Sequence, residues 1–387
     1  MSLNALPSAD SADSGVRNVE LQQLVDLLKD QSTRRLDVVA GAGAMHSIDG
    51  RLVLDNTEPQ IGPDGVTNTA GVYQLNSIAI SGLAEKLKIP QAYLRRLATE
   101  HPTLFDANVN GWLDRTNRRF LVRCLRSDDG DGSGHGVARA VLSDRYGRID
   151  NLDVLYSVLE GIRGAGVAVN VDGCDLTDRR MYLRIYSPEV QANAAALLGG
   201  YKSPFDGRSG KDLPTVWGGF VVTNSETGCG KFTLTPRLMV QVCRNGLVLP
   251  HSAKSRTHLG AQLTDDGVIE WSAASTRATL ELITTRTTDA VRAYLDADFV
   301  TRSLRELEEQ ADATVTDPDT TIKTLGQQLR YSEDQQKDIL NHFIAGGDRS
   351  AGGILHAVTS VAQTLPDADA AHEMELTAIQ AMRLAAA

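Results

Sequence analysis

The sequence predicts an α+β protein in which an antiparallel sheet of hairpins is covered by helices and followed by a small helical C-terminal module. The sheet is predicted because β-branched and aromatic runs between residues 115 and 250 alternate with period 2 and are separated by Asn, Gly and Asp turns. The covering helices are predicted because apolar residues recur at helical spacing at 76–99, 151–163 and 272–310.

The composition divides the chain of 387 residues into three parts. Residues 1–18 are small and polar, which predicts a disordered N-terminus. Residues 19–310 carry the sheet and its helices and form the predicted α+β core domain. Residues 311–387 form the predicted helical C-terminal module, with a solvated acidic surface and short helices at 333–345, 350–363 and 369–385.

The first elements precede the sheet. Val19 to Leu28 has the spacing of a short amphipathic helix, and 36–40 and 51–54 are strand candidates. Residues 76–99 predict two helices joined by a tight turn at Ile89-Pro90. Their rhythm resembles a helix-turn-helix, but the second helix offers few side chains suited to base edges, so a packed helix pair is favoured.

The first predicted hairpin carries arginines. Residues 115–126 contain five of them and alternate as a strand, which puts Arg119 and Arg123 on one face. A flexible acidic loop at 127–136 leads to a return strand at 137–142, where Arg139 follows the same alternation. A strip of arginines across this antiparallel pair is predicted.

Two further elements precede the most unusual stretch. Asn151 has the position of an N-cap for a helix that stops at Gly164, and 167–185 is predicted as another hairpin. The Ala/Gly/Ser/Pro-rich interval 190–214 is predicted as a long loop of the kind that is often functional or mobile.

Residues 216–260 concentrate the unusual chemistry. Two β-rich runs flank 224–228, whose Asn-Ser-Glu-Thr-Gly sequence is typical of a hairpin turn. No carboxylate occurs between Glu226 and Asp265, which predicts a locally basic face on an acidic chain. The cations of that face are Lys231, Arg237, Arg244, Lys254 and Arg256. Beyond it, 272–310 predicts one long helix that spans a domain or packs against a partner.

Three sequence blocks carry a resemblance. NSETG with VCRNGLVLP and a K-S-R-T-H turn, ARAVLSDRYGRIDNLDVL at 138–155, and AYLRRL at 92–97 resemble the phage- and plasmid-associated family known as "domain of unknown function 932". The resemblance covers roughly residues 70–300. It implies an association with mobile elements and, for a phage-encoded protein, a location in the host cytoplasm, but the family name implies no activity.

Charge and hydropathy limit the class of protein. The net charge of −10 and a pI near 5.3 argue against a uniformly basic nucleic-acid coat. The chain contains no run of 18 apolar residues, so no membrane partner is expected. The N-terminus lacks the basic and apolar regions of a secretion signal, which predicts a cytoplasmic protein. Four scattered cysteines without a C-x-x-C pair favour reduced core thiols.

The motifs of common sites are incomplete. Cys229, Cys243, His251 and His258 lack the tight pairs of a closed zinc site, so no metal and no cofactor are expected. A nucleophilic Cys243 with either histidine would need a stabilised thiolate, whereas the apolar surroundings of Cys243 favour a buried inert thiol. The G-x-G-K of 228–231 lacks the full phosphate-loop spacing and leads into a strand.

Polyanion binding is therefore the favoured hypothesis. Backbone phosphates require several cations on one rigid surface, and unstacked bases require aromatic or guanidinium faces. The carboxylate-free basic stretches and the resemblance to a family of mobile elements together imply a phage- or plasmid-type DNA-metabolism protein. It is expected to bind single-stranded nucleic acid, with single-stranded DNA as the partner, on a basic sheet surface, as a homo-oligomer that promotes annealing in recombination. The predicted binding residues are Arg119, Arg123, Arg139, Lys231, Arg237, Arg244, Lys254 and Arg256. The alternatives are an enzyme built on Cys243, His251 and His258, and a host-modulating interaction module that uses the long helix and acidic tail.

Overall fold

The computed structural model describes residues 15–62, 65–127, 135–244, 246–249 and 272–387. The chain is mixed α+β with a helical C-terminal module, which confirms the predicted fold class. The predicted sheet is divided in two, however, because the arginine hairpin belongs to one sheet and the later hairpins to another. No helix in the described ranges combines the length and the apolar character that crossing a membrane requires.

The N-terminal sheet contains the arginine hairpin. Its strand order is β2-β8-β9-β7-β4-β3, with β7 and β9 parallel and the other neighbours antiparallel. Strands β5 and β6, which lie between β4 and β7 in the sequence, form a separate two-stranded ribbon. The strands are β2 (Arg35–Gly41), β3 (Met45–Ile48), β4 (Arg51–Leu54), β5 (Gln60–Gly62), β6 (Gly65–Thr67), β7 (Gly71–Leu75), β8 (Arg119–Arg126) and β9 (His135–Ser143).

Three helices cover this sheet: α2 (Ser77–Leu87), α3 (Gln91–Glu100) and α4 (Pro102–Leu113). The predicted helix pair is confirmed, whereas α4 was not predicted. The α2 helix begins where the Asn76 side chain accepts from two backbone N–H groups, and it ends at Lys88 in the left-handed conformation. Their apolar faces and the sheet form one hydrophobic core.

The central sheet is antiparallel throughout, in the order β1-β10-β11-β12-β13-β14. It confirms the two later hairpins of the sequence prediction. One face packs on α1 (Leu21–Arg34), α5 (Asn151–Ala165) and α7 (Ala273–Tyr294). The strands are β1 (Val16–Val19), β10 (Asn170–Leu176), β11 (Met181–Asn193), β12 (Thr215–Asn224), β13 (Thr233–Val240) and β14 (Gly246–Val248).

The helices on this face approach closely. A Cβ atom at Gly161 of α5 would lie 2.6 Å from the Thr284 carbonyl oxygen of α7, so only glycine permits this contact. The predicted single helix at 272–310 is wrong, because α7 ends at Tyr294 and a new helix starts after Asp296. Asp296 caps the second helix by accepting a hydrogen bond from Phe299 N at 2.8 Å.

The C-terminal helices share a core with one end of the central sheet. In this core Ile354 and Val358 lie in the same cluster as Val216 and Leu238. Residues 351–362 are all buried, so the module is built around an interior helix. The helices are α8 (Ala297–Ala311), α9 (Pro318–Leu329), α10 (Glu333–Gly346), α11 (Ala351–Thr364) and α12 (Ala368–Ala386).

The interval 190–214 differs from the predicted loop. Strand β11 continues to Asn193, and a short helix, α6 (Ala195–Leu198), follows it. Leu198 and Tyr201 are buried in the C-terminal core, and Tyr201 stacks on His356 with ring centroids 4.3 Å apart. The first half of this interval is therefore anchored by apolar packing.

Candidate nucleic-acid interface

Arg123 lies in the interior, where the N-terminal sheet meets the central sheet. Its guanidinium donates to Asp37 Oδ1 at 2.8 Å, to Asp150 Oδ1 at 2.5 Å and to the Glu226 carbonyl at 2.7 Å. Burial alone lowers the pKa of Arg123, but the neighbouring carboxylates outweigh it and raise the pKa. Burial alone would raise the pKa of Asp150, but the guanidinium groups of Arg123 and Arg35 lower this pKa below its ordinary value. These groups are therefore charged and mutually satisfied.

Arg139 lies beside this group and is paired with the predicted turn. Its Nη1 donates to Glu226 Oε1 at 2.7 Å, and Glu226 Oε2 accepts from Asn151 N at 2.9 Å. Asn224 donates to the Asn151 side chain at 2.8 Å, so the turn also holds the start of α5. We refer to Asp37, Arg123, Arg139, Asp150 and Glu226 as the charged seam.

Two of the predicted binding residues, Arg123 and Arg139, belong to the charged seam, so the prediction that they bind nucleic acid is wrong. The side chains of Arg123 and Arg139 are 4% and 6% exposed, and each contacts a carboxylate. A phosphate could reach them only by displacing those carboxylates and opening the contact between the two sheets. The turn at 224–228 is confirmed as the link between two paired strands, but its first four residues are buried and hold the seam.

Arg237 is a third predicted residue that the structure buries. It lies on β13 under α12, 3.5 Å from Asp172, and its Nε and Nη1 have no hydrogen-bond partner among the described residues. Burial lowers the pKa of Arg237 and raises the pKa of Glu375, which lies on α12. Gly246 leaves room for the guanidinium, because a Cβ there would lie 2.3 Å from Arg237 Nη2. Arg237 is thus not placed to bind a strand.

Two predicted cations are exposed in the central sheet region. Arg244 is 60% exposed at its side chain and lies 3.2 Å from Asp172, so one carboxylate already offsets its charge. Lys231 is exposed just before β13. A Cβ at the neighbouring Gly230 would lie 2.7 Å from Arg180 Nε, and Arg180 donates to the Cys229 carbonyl at 2.8 Å. Lys254 and Arg256 lie outside the described residues.

Arg119 is exposed and belongs to a different group of cations. Four exposed cations lie where α2 and α4 end and β8 begins, and we call them the basic corner: Lys88, Arg115, Arg118 and Arg119. Arg118 Nη1 donates to the Lys86 carbonyl at 3.3 Å, which ties the start of β8 to the end of α2. Within the described ranges, no carboxylate lies within ion-pair distance of these four residues.

Aromatic groups accompany the basic corner. The Arg118 guanidinium lies 5.6 Å from the centroid of the Phe120 ring, which keeps it over a rigid apolar support. Trp112 is 50% exposed in the last turn of α4, and its carbonyl accepts from Arg115 N at 3.2 Å. The corner thus combines an exposed indole with guanidinium groups that form no ion pair with a described carboxylate.

The geometry at Cys243 does not favour nucleophilic chemistry. Cys243 is buried, as are Cys124 and Cys174, and burial raises the pKa of the Cys174 thiol to about 12. His251 and His258 lie outside the described residues. Among the residues that are described, no cluster of His, Cys, Asp and Glu side chains could hold a metal ion.

Sequence reasoning missed Lys88, Arg115 and Arg118 as binding candidates. Lys88 was treated as part of a helix pair, and Arg115 and Arg118 as part of a strand that begins only at Arg119. The available signal was the carboxylate-poor run from 115 to 126. It did not separate exposed from buried arginines, because their partners are distant in sequence.

Comparison of the chain with protein-family models, curated proteins and solved structures found no match.

Proposed function

We propose that the protein binds single-stranded nucleic acid at the basic corner. The observation that carries this proposal is the group of four exposed cations beside Trp112, none of them ion-paired to a described carboxylate. Backbone phosphates attract such cations, and an indole provides a stacking face that every base can use. The overall charge of −10 directs a strand to this local surface rather than to the whole molecule.

The proposal changes the binding surface that the sequence suggested. Arg119 remains in it, whereas Arg123, Arg139 and Arg237 are engaged inside the fold. Lys231 and Arg244 are exposed beyond opposite ends of β13, and Arg244 shares Asp172 with Arg237. A role in annealing, a homo-oligomeric assembly and a phage origin remain predictions. The assembly is tested first, by the solution mass of the protein with and without oligonucleotide.

The test is a salt titration of binding to a fluorescent oligothymidylate that carries a 5′-hydroxyl group. Replacing Arg118 and Arg119 together with Gln should weaken binding and lower the slope of log K against log salt by about 0.7 for each lost phosphate contact. The matched control is Arg96→Gln, because Arg96 is exposed on α3 but is paired with Glu100 at 2.8 Å. Its slope should equal that of the wild type.

A second variant separates stacking from charge. Trp112→Ala should weaken binding by about 1–3 kcal/mol while the salt slope stays unchanged, because stacking involves no counterion release. Absence of binding at low salt, or equal slopes for the double variant and the control, would reject the proposal.

A further inference from the structure

A cleft of about 480 Å³ lies at the junction of the two sheets and the C-terminal helices, away from the basic corner. Three arginines line it, and each comes from a different element: Arg17 from β1, Arg95 from α3 and Arg179 from the turn between β10 and β11. A small anion in the cleft would therefore meet guanidinium groups from three walls.

Two of these guanidinium groups form few hydrogen bonds with the described residues. Among the described residues, Arg95 donates to the Ser81 hydroxyl alone, at 2.6 and 3.2 Å, and Arg17 donates to the Ala362 carbonyl at 2.9 Å. The Nε of Arg17 is buried and has no hydrogen-bond partner among the described residues. Burial is the main reason that the pKa of Arg17 is lowered, so an incoming anion would restore solvation that the guanidinium lacks.

One helix N-terminus adds to the positive potential of the cleft. Ser77 and Ile78 form the first turn of α2, and the Ser77 residue is exposed there. The start of α12 also borders the cleft, but the carboxylates of Asp367 and Asp369 offset its helix dipole.

The carboxylates of the cleft are mostly engaged elsewhere. Asp369 accepts from the Tyr182 hydroxyl at 2.5 Å and from the Thr177 hydroxyl at 2.9 Å, and Asp367 caps its own helix through Asp369 N. Within the described chain, none of these carboxylates is ion-paired with Arg17, Arg95 or Arg179. Asp178 also lines the cleft and opposes an anion by its charge.

We propose that this cleft binds a phosphoryl group, either free phosphate or the phosphomonoester of a small molecule such as a nucleotide. Three guanidinium groups approaching from three walls fit a tetrahedral dianion better than a planar carboxylate, which offers two oxygens in one plane. The exposed hydroxyl of Ser77 can donate to a further phosphate oxygen.

The test is calorimetric titration of the full chain with inorganic phosphate, adenosine 5′-monophosphate and adenosine. The first two should bind and adenosine should bind at least about tenfold more weakly, since it lacks the charge that the guanidinium groups recognise. Arg95→Gln and Arg179→Gln should each weaken binding by about tenfold, which is the usual loss for one charge-assisted hydrogen bond. Asp178→Asn should tighten binding, because it removes the opposing charge.

Arg96→Gln is again the control, because Arg96 neighbours Arg95 but does not line the cleft. Arg95 and Arg179 are exposed, so their variants should fold, and thermal unfolding checks this. No heat with either phosphate compound, equal affinity for adenosine, or unchanged affinity in both arginine variants would overturn the proposal. Failure here leaves strand binding at the basic corner intact, because that is measured with an oligonucleotide that has no terminal phosphate.

Discussion

At the residue scale, the arginines of this chain divide by their partners rather than by their position in the sequence. Arg119 and Arg123 lie four positions apart on β8, yet Arg119 is exposed and Arg123 is buried. Alternation along a strand predicts that both side chains share a face, but not that the turn at 224–228 covers that face at Arg123 and leaves it open at Arg119. Arg123 lies 86 positions from Asp37 and 27 from Asp150, and Arg139 lies 87 positions from Glu226, so no local pattern could reveal these pairs.

Removing Arg123 should destabilise the fold strongly. Arg123→Met leaves Asp37 and Asp150 without their central cation, and breaking a buried ion pair in this way costs about 3–5 kcal/mol. Urea unfolding measures the loss. Arg96→Gln, which alters an exposed pair, should shift stability by less than about 0.5 kcal/mol. Similar midpoints for the two variants would mean that the charged seam contributes little.

At the element scale, helices and hairpins could be predicted where a cap or turn residue accompanies the periodic spacing of apolar residues. The turn at 224–228 is such a signal, and the hairpin is present. The helix predicted after Asn151 is also present, but Asn151 is its first residue and Asp150 holds the N-cap position. The division of the long helix was missed, because apolar spacing continues across Leu295 and Asp296 into α8. The separation of the two sheets was also missed, since the pairing of β9 with β7 and of β10 with β1 is non-local.

The break between α7 and α8 should depend on Asp296. Asp296→Ala removes the acceptor for Phe299 N and should cost about 1 kcal/mol of stability, the usual value of an N-cap. It should also speed hydrogen exchange of the Phe299 amide. Asp298→Ala is the matched control, because Asp298 lies in the first turn of the same helix without capping it. If Asp296→Ala were neutral or stabilising, the two helices would tend to merge and the cap would not be what separates them.

At the scale of the whole molecule, positive charge is used both inside and outside the fold. The charged seam joins the two sheets through Arg123 and the Glu226 carbonyl, and Arg237 of the central sheet is attracted by the Glu375 carboxylate of α12. The basic corner and the cleft lie near opposite ends of α2, whose 11 residues span about 16 Å. Composition predicted a local excess of cations on an acidic chain. It could not predict that part of the excess is internal, since that depends on how three separate cores are assembled.

The C-terminal module should make the whole molecule sensitive to acid through His356. This side chain is buried in α11 against Tyr201, with Nε2 lying 3.3 Å from the Leu197 carbonyl, and burial lowers its pKa to about 4. Because this folded-state pKa is below the ordinary value, the unfolded chain takes up the proton first. Protonation of His356 therefore does not reduce the free energy of unfolding above about pH 6.5. The free energy of unfolding decreases as the pH falls towards 4, by about 2 kcal/mol at pH 5.

The comparison of His356→Phe with the wild type isolates this effect. Urea unfolding between pH 5 and 7 should show a smaller loss of stability on acidification for the variant, whatever its stability at pH 7. His372 of α12, whose pKa burial lowers to about 3, contributes with the same sign in both proteins. Glu375, whose pKa burial raises, opposes it in both proteins. His135→Gln, at an exposed position on β9, should keep the wild-type pH dependence. If His356→Phe also kept the wild-type pH dependence, protonation of the His356 side chain could not be the cause of the acid sensitivity.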